Sequence, residues 1–302
     1  MIQIINASKK YDDIVALEET TTKIKEGQVF GLIGTNGAGK STMLRMIAGV
    51  MKSDTGSIMV DDMSIYDNEE AKSKIFYISD EQFFFTNALP KDMALYYKNI
   101  YPNFDMEKFE DYLNKFDLPA NRKIKTFSKG MKKQLSVILG ISANTKYILC
   151  DETFDGLDSL MRQGVKSIFA KEVEGRGLTP IIASHNLREI EDICEHIGML
   201  YKGGMIVSNE LDKLKLDIYR IQCVLSEGML KNIKSTLNVL NANVRGSVVE
   251  MVIKASIEEI EEVMKEQKIT FYETLPLSLE EIFIVETEEK GYDVKKLIQN
   301  ME

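Results

Sequence analysis

The sequence predicts an α/β fold: a parallel-sheet core with an N-terminal antiparallel β subdomain, a helical insert and a small α+β C-terminal domain. Three observations carry this prediction. From Tyr147 to Tyr201, short apolar runs alternate with helical patterns, the arrangement that lays helices over a parallel sheet. Residues 34–41, Gly-Thr-Asn-Gly-Ala-Gly-Lys-Ser, stand between an apolar run and a helix pattern. Beyond about residue 211 the alternation gives way to three successive β-type runs, then a helix, a strand and a helix.

Taken in order, Ile2–Ile5, Val15–Thr22 and Gln28–Ile33 are short β-type runs broken by turn residues, a spacing that predicts antiparallel strands. Gln28–Ile33 is also the strand that feeds the glycine-rich loop, and Thr42–Ala48 after the loop has helical spacing. Ser57–Val60 adds another strand. Between about 86 and 145 the chain turns helical: Met93–Tyr101 and Met106–Phe116 carry the period, with Pro90, Pro102 and Pro119 as breaks, and a further helix runs from Met131 to about Ser142. Then come a buried strand Tyr147–Asp151, a helix Ser159–Glu172, a strand Thr179–Ser184, a helix Asn186–Cys194 and a strand Ile197–Tyr201. The second domain, residues 211–302, reads as strands Ile218–Leu225, Asn243–Arg245 and Val248–Lys254, a helix Glu258–Glu266, a strand Thr270–Glu273 and a helix Leu279–Glu286. Val294, Leu297, Ile298 and Met301 form an apolar stripe at helical spacing.

Composition narrows the function. A chain of 302 residues with 44% hydrophobic content fits about two domains with sizeable cores. The net charge of −9 argues against nucleic acid as the main partner, because phosphate backbones need a basic face. No apolar run approaches the roughly 18 residues that span a bilayer. The opening run Met1–Asn6 has neither the basic segment nor the apolar core of a secretory signal, so a cytosolic chain is expected. Cys150, Cys194 and Cys223 are three in number and far apart, which predicts reduced packing thiols.

The glycine-rich loop defines the chemistry. A triphosphate concentrates negative charge, so its cradle needs backbone N–H groups at close range and the positive end of a helix beneath it. Gly34, Thr35, Asn36, Gly37, Ala38 and Gly39 supply the loop, Lys40 reaches the β- and γ-phosphates, the Ser41 hydroxyl ligates Mg²⁺, and Thr42 opens the helix. The expected core is therefore a P-loop NTPase, with ATP and Mg²⁺ as its ligands. Tyr147–Asp151 followed by Glu152 is an apolar strand that delivers two carboxylates to a sheet edge. Asp151 suits Mg²⁺, and Glu152 suits general-base activation of water.

With these residues in place, 1–210 resembles the nucleotide-binding subunit of an ABC transporter. Gly34–Ser41 matches the family's Walker A loop, Asp151 its Walker B aspartate and Glu152 its catalytic glutamate. Gly156-Leu157-Asp158 resembles the D-loop, and His185 matches the switch histidine that contacts the γ-phosphate. Tyr11 stands where the family places an aromatic that stacks on adenine. Phe127-Ser128-Lys129-Gly130-Met131 occupies the place of the Leu-Ser-Gly-Gly-Gln signature; Ser128 and Gly130 are kept, whereas Lys129 and Met131 depart from it. At the Q-loop position stands Asp80, with Gln82 two residues on, and either side chain suits Mg²⁺. The adjacent Phe83-Phe84-Phe85 is either core of the helical insert or a groove for a membrane partner.

The resemblance implies an ATP-hydrolysing subunit, peripheral to the inner face of the cell membrane, that pairs with a second ATP-binding subunit in a homo- or heterodimer and powers a separate permease, in the manner of an exporter. Residues 211–302 resemble the C-terminal extension of ABC-2-type subunits through Leu275–Phe283, and imply a packing or dimer-stabilising module. The rival readings are a soluble ATP-dependent interaction protein of the same superfamily and a P-loop kinase. The first lacks its second nucleotide domain or long coiled coil here, and the second is disfavoured by the Asp151–Glu152 pair and the late His185.

Overall fold

A computed structural model of the chain describes residues 1–291 apart from Asp217 and Thr270. The apolar stripe at Val294, Leu297, Ile298 and Met301 lies outside the described residues. The chain divides into two compact units, Met1–Ser208 and a second beginning at Asn209, and each is described by itself.

The first unit opens with β1 (Ile2–Tyr11) and β2 (Ile14–Ile24), an antiparallel hairpin turned at Asp12, whose φ is 49°. Asp tolerates the left-handed region because its short side chain bonds locally. β3 (Phe30–Gly34) leads through the glycine-rich loop into α1 (Lys40–Ile47). β4 (Thr55–Val60) and β5 (Met63–Ser64) complete a four-stranded sheet in the order β2-β1-β4-β5. α2 (Glu69–Ser73), capped by the Asn68 side chain, precedes β6 (Ile75–Ile78). The helical insert follows as α3 (Pro90–Ile100), α4 (Met106–Lys115) and α5 (Lys129–Ser142). β7 (Tyr147–Asp151), α6 (Ser159–Arg176), β8 (Thr179–Ser184), α7 (Leu187–Glu191) and β9 (His196–Tyr201) follow, and β10 (Gly204–Glu210) runs across the boundary at Ser208.

These strands form a six-stranded sheet in the order β10-β9-β3-β8-β7-β6. β3 pairs in parallel with β8 and β9, and β7 with β6 and β8. β3 therefore does not belong with the antiparallel runs that its spacing predicted. Every residue from Phe30 to Gly34 is buried, which marks a strand covered on both faces. The helix expected over Asn186–Cys194 is confined to Leu187–Glu191, because the chain is drawn early into the sheet: the Glu195 and His196 amides both donate to the Val29 carbonyl. One core cluster gathers Ile2, Ile4, Phe30, Leu32, Met43, Leu44, Tyr147 and Leu149 from both sheets and α1.

In the second unit, α8 (Leu211–Leu216) leads to β11 (Ile218–Val224), α9 (Glu227–Thr236), β12 (Asn238–Arg245), β13 (Val248–Lys254), α10 (Ile257–Glu266), β14 (Tyr272–Pro276) and α11 (Leu279–Glu289). From β11 to β14 this is a split β-α-β unit, with an antiparallel sheet ordered β12-β13-β11-β14. Ser256 with Glu259 and Ser278 with Glu281 form capping boxes that start α10 and α11. Ile221, Met251, Ile253, Ile233, Ile260 and Met264 make its core. All three cysteines are free and buried, as packing thiols should be.

Candidate nucleotide site

The sheet edge at the C-terminal ends of β3, β7 and β8 gathers the loop, the acidic pair and His185. The loop closes through an Ala38 amide bonded to the Thr35 carbonyl at 3.1 Å. Gly39 has a φ of 107°, and a side chain there would run into the Ala16 carbonyl, so the position is open only to glycine. Lys40 is buried; its Nζ donates to the carbonyls of Gly34 at 2.8 Å and Thr35 at 3.3 Å and lies 3.5 Å from Glu152 Oε1. Ser41 Oγ donates to Asp151 Oδ1 at 3.0 Å.

Asp151 ends β7 and is 1% exposed. Burial pushes its carboxyl up from the usual range, against hydrogen bonds from Ser41 and Tyr77 that pull it down. Tyr77 of β6 donates from its hydroxyl to Asp151 Oδ2 at 3.2 Å, and burial pushes this phenol up to about 12. Neither Tyr77 nor its neighbour Arg45 stands out in the sequence, because each acts only through contacts that the fold creates. Glu152 follows in a left-handed conformation with a φ of 46°. Its Oε2 lies 2.8 Å from His185 Nδ1.

A cleft of about 390 Å³ opens here, lined by Ile14, Ala16, Asn36–Thr42, Asp80 and Glu152. Asp80, rather than Gln82, faces this space: the Gln82 amide folds back to donate to the carbonyls of Ser79 and Asp80. Tyr11 is absent from the lining, and its hydroxyl rests on Met51 Sδ at 2.9 Å. The apolar lining comes instead from Ile14 and Ala16 on the next strand.

Ser128 and Gly130 lie elsewhere. They line a second cleft, of about 550 Å³, with Lys129, Met131, Gly156, Leu157 and Asp158. Ser128 caps α5, its Oγ accepting from the Met131 amide at 3.2 Å. Lys129 Nζ reaches Asp155 Oδ2 at 3.7 Å. Arg162 donates to the Leu157 carbonyl at 3.1 Å and pairs with Glu189 on α7 at 3.2 Å, joining the loop before α6 to the helix after His185. The first cleft thus has a cation and loop amides for phosphates, and the second has a helix N-terminus of its own.

The residues present suit a polyphosphate with a divalent cation. The loop leaves no room for a side chain at Gly39, and Ser41 and Asp151 offer hard oxygen donors side by side. Among the described residues no group of three or more His, Cys, Asp or Glu forms a metal cage, so a cation here would complete its shell with nucleotide oxygens and water.

Comparison with known proteins agrees with this architecture. The family model for the ABC transporter matches residues 17–155. The chain is 32% identical over 284 residues to the ABC transporter ATP-binding protein YtrB of Bacillus subtilis, covering 94% of this chain and 97% of that protein. It is 30% identical over 214 residues to the lantibiotic transport ATP-binding protein SrtF of Streptococcus pyogenes, covering 70% of this chain and 92% of the relative. Among solved structures, a dimeric bacterial ABC transporter cassette aligns with a TM-score of 0.63 at 25% identity, over 70% of this chain and 99% of that one. A post-hydrolysis dimer bound to ADP and Pi shares the fold, with a TM-score of 0.63 at 24% identity and the same coverage of each chain. Fold and loop define a P-loop ATPase cassette. The chain belongs to the family of ABC transporter ATP-binding proteins, whose members generally hydrolyse ATP. No helix among its described residues is long and apolar enough to cross a membrane.

Proposed function

We propose that this chain is the Mg²⁺-dependent ATPase subunit of a multi-subunit exporter, peripheral to the cytoplasmic face of the membrane, and that it drives a separate permease. The observation that carries the reading is the convergence of Lys40, Ser41, Asp151, Glu152 and His185 on one sheet edge. The loop amides and Lys40 hold the phosphates, with Lys40 exchanging its two loop carbonyls for phosphate oxygens. Ser41 and Asp151 hold the cation, joined by Asp80 from the cleft wall. Mg²⁺ supplies neutralisation of the charge that develops on the transferred phosphoryl group. Glu152 takes the proton of the attacking water, and His185, which fixes the Glu152 carboxylate through Nδ1, turns to donate to the γ-phosphate. Tyr11 serves adenine only by leaving Met51; Ile14 and Ala16 already form an apolar wall on that side.

The Ser128–Gly130 cleft serves a nucleotide held by a second subunit, identical or related, since it does not open onto Lys40 of its own chain. The solved dimeric cassettes of this fold support that pairing. Residues 1–210 act as the ATPase domain, and 211–302 as a packing or dimer-stabilising module. The permease contacts the aromatic strip formed by Phe83, Phe85 and Tyr96, whose rings meet edge to face. The name of the lantibiotic transport relative supports a role in transport.

Glu152→Gln tests the reading. It should keep ATP affinity, lose turnover by about 10²–10⁴-fold, the usual share of a general base, and accumulate as an ATP-bound dimer in light scattering. Normal hydrolysis by this variant would show that water is activated elsewhere.

A further inference from the structure

Lys133 is a lysine with 0% of its side chain exposed, placed on the second turn of α5, the helix that Ser128 caps. A buried ammonium is costly unless its hydrogens are taken up. Two acceptors take them: the backbone carbonyl of Glu152, and Asp80 Oδ1 at 3.3 Å. Both belong to the ATP cleft, and neither is on α5.

The Glu152 peptide needs such support. Its positive φ is a conformation that a non-glycine residue holds only where the surroundings impose it. On one side the Glu152 amide donates to the Ala183 carbonyl of β8 at 3.0 Å. On the other side its carbonyl accepts from the Asp155 amide at 3.2 Å and from Lys133. The carboxylate is held separately, by His185 and Lys40. Among these grips on the peptide, Lys133 alone comes from the helical insert. A shift of α5 is therefore felt at Glu152 and Asp80 together.

We infer that Lys133 is a positioning residue, which fixes the Glu152 turn for water activation and ties the start of α5 to both Glu152 and Asp80. The inference rests on the reading of Glu152 as the general base. It goes beyond that reading by assigning the placement of the base to a cation on the insert.

The test uses the full-length protein carrying Lys133→Met, which keeps an unbranched apolar stem one atom shorter than lysine and loses the donor. Its affinity for a fluorescent ATP analogue should stay within about threefold of wild type, while kcat falls by between about tenfold and 10²-fold, the loss expected for a small misplacement of a catalytic group. Hydrogen exchange of the nucleotide-free protein gives a readout independent of turnover: amides 152–155 should exchange faster, with β8 unchanged. Lys133→Gln keeps a donor one bond shorter and should fall between wild type and Met in both measurements. If the Met variant does not fold, Gln against wild type decides in the same sense. Wild-type turnover in a folded Met variant, or lost turnover with unchanged exchange at 152–155, overturns the inference. Glu152→Gln run alongside separates the failures: if it hydrolyses normally the general-base reading falls, and if it is inactive while Lys133→Met is normal only the role of Lys133 falls.

Discussion

Changing Tyr77 to Phe removes one oxygen and nothing else from the wall behind Asp151. The lost bond is the 3.2 Å donation to Asp151 Oδ2, which leaves Ser41 as the carboxylate's other donor. A hydrogen bond to a charged group contributes about 1.5–3 kcal/mol. Tyr77 is only half-buried and the bond is long, so the lower end applies, about 1.5 kcal/mol. Arg45, which also bonds the phenol, is exposed and turns to water at little cost. In a unit of this size 1 kcal/mol shifts Tm by about 2–4 °C, so the nucleotide-free variant should melt about 3–6 °C lower near pH 8. The sign with pH follows from the carboxyl. The bond favours ionised Asp151 and lowers its folded pKa relative to the variant, so its contribution is present while Asp151 is charged. It fades as pH falls through that pKa, which burial has raised. Differential scanning calorimetry over a pH series descending from 8 measures both effects. An unchanged Tm at pH 8, or a loss that does not shrink as Asp151 is protonated at the acid end of the series, would refute the coupling between Tyr77 and the Asp151 charge.

Two further outcomes bear on the site and its partner. Lys40→Ala removes the buried cation of the loop and should weaken ATP binding by about 10²-fold, the worth of its charged contacts; titration calorimetry with ATP and Mg²⁺ reads it, and an unchanged Kd would defeat the assignment. Phe83 is 72% exposed, so Phe83→Asp should leave folding and ATP affinity intact yet abolish co-purification with the permease; normal assembly would place the coupling surface elsewhere.

Much of the fold is written locally. Tyr147–Asp151, Thr179–Ser184 and Val248–Lys254 have the bounds that their apolar runs announce, because a strand buried on one or both faces leaves a short continuous or alternating pattern. The same logic misfiled β3, whose partners lie at Ile181 and His196, far beyond any local window. β10 and α9 were not legible: Gly204–Glu210 is mostly half-exposed and mixes polar with apolar residues, and α9 starts from a lone Ser226 cap. The convergence of the loop, the acidic pair and His185 on one sheet edge was readable because their residue types are chemically demanding and their strands are parallel. Tyr77 and Lys133 were not, since a tyrosine in an apolar run and a lysine in a basic stretch look ordinary until the fold brings Asp151 and Glu152 to them. Which of Asp80 and Gln82 faces the cleft likewise turns on which side chain folds back on its own loop.

The place of β3 in the sheet also governs when the site comes into being during synthesis. The loop and Lys40 emerge from the ribosome early, but both strands that flank β3 are translated late: Phe30 pairs with Ile181 and His196, and Gly34 with Leu200. Asp151 similarly needs β8, through its register with Ala183. Domains fold largely as units while the chain emerges, and long-range parallel pairing is slow. A nascent or truncated chain ending before β8 therefore carries the whole glycine-rich segment and both carboxylates without the strand that joins β3 to β7 and aligns them. The cleft that the loop and the carboxylates share is complete only once β8 has joined β3 and β7.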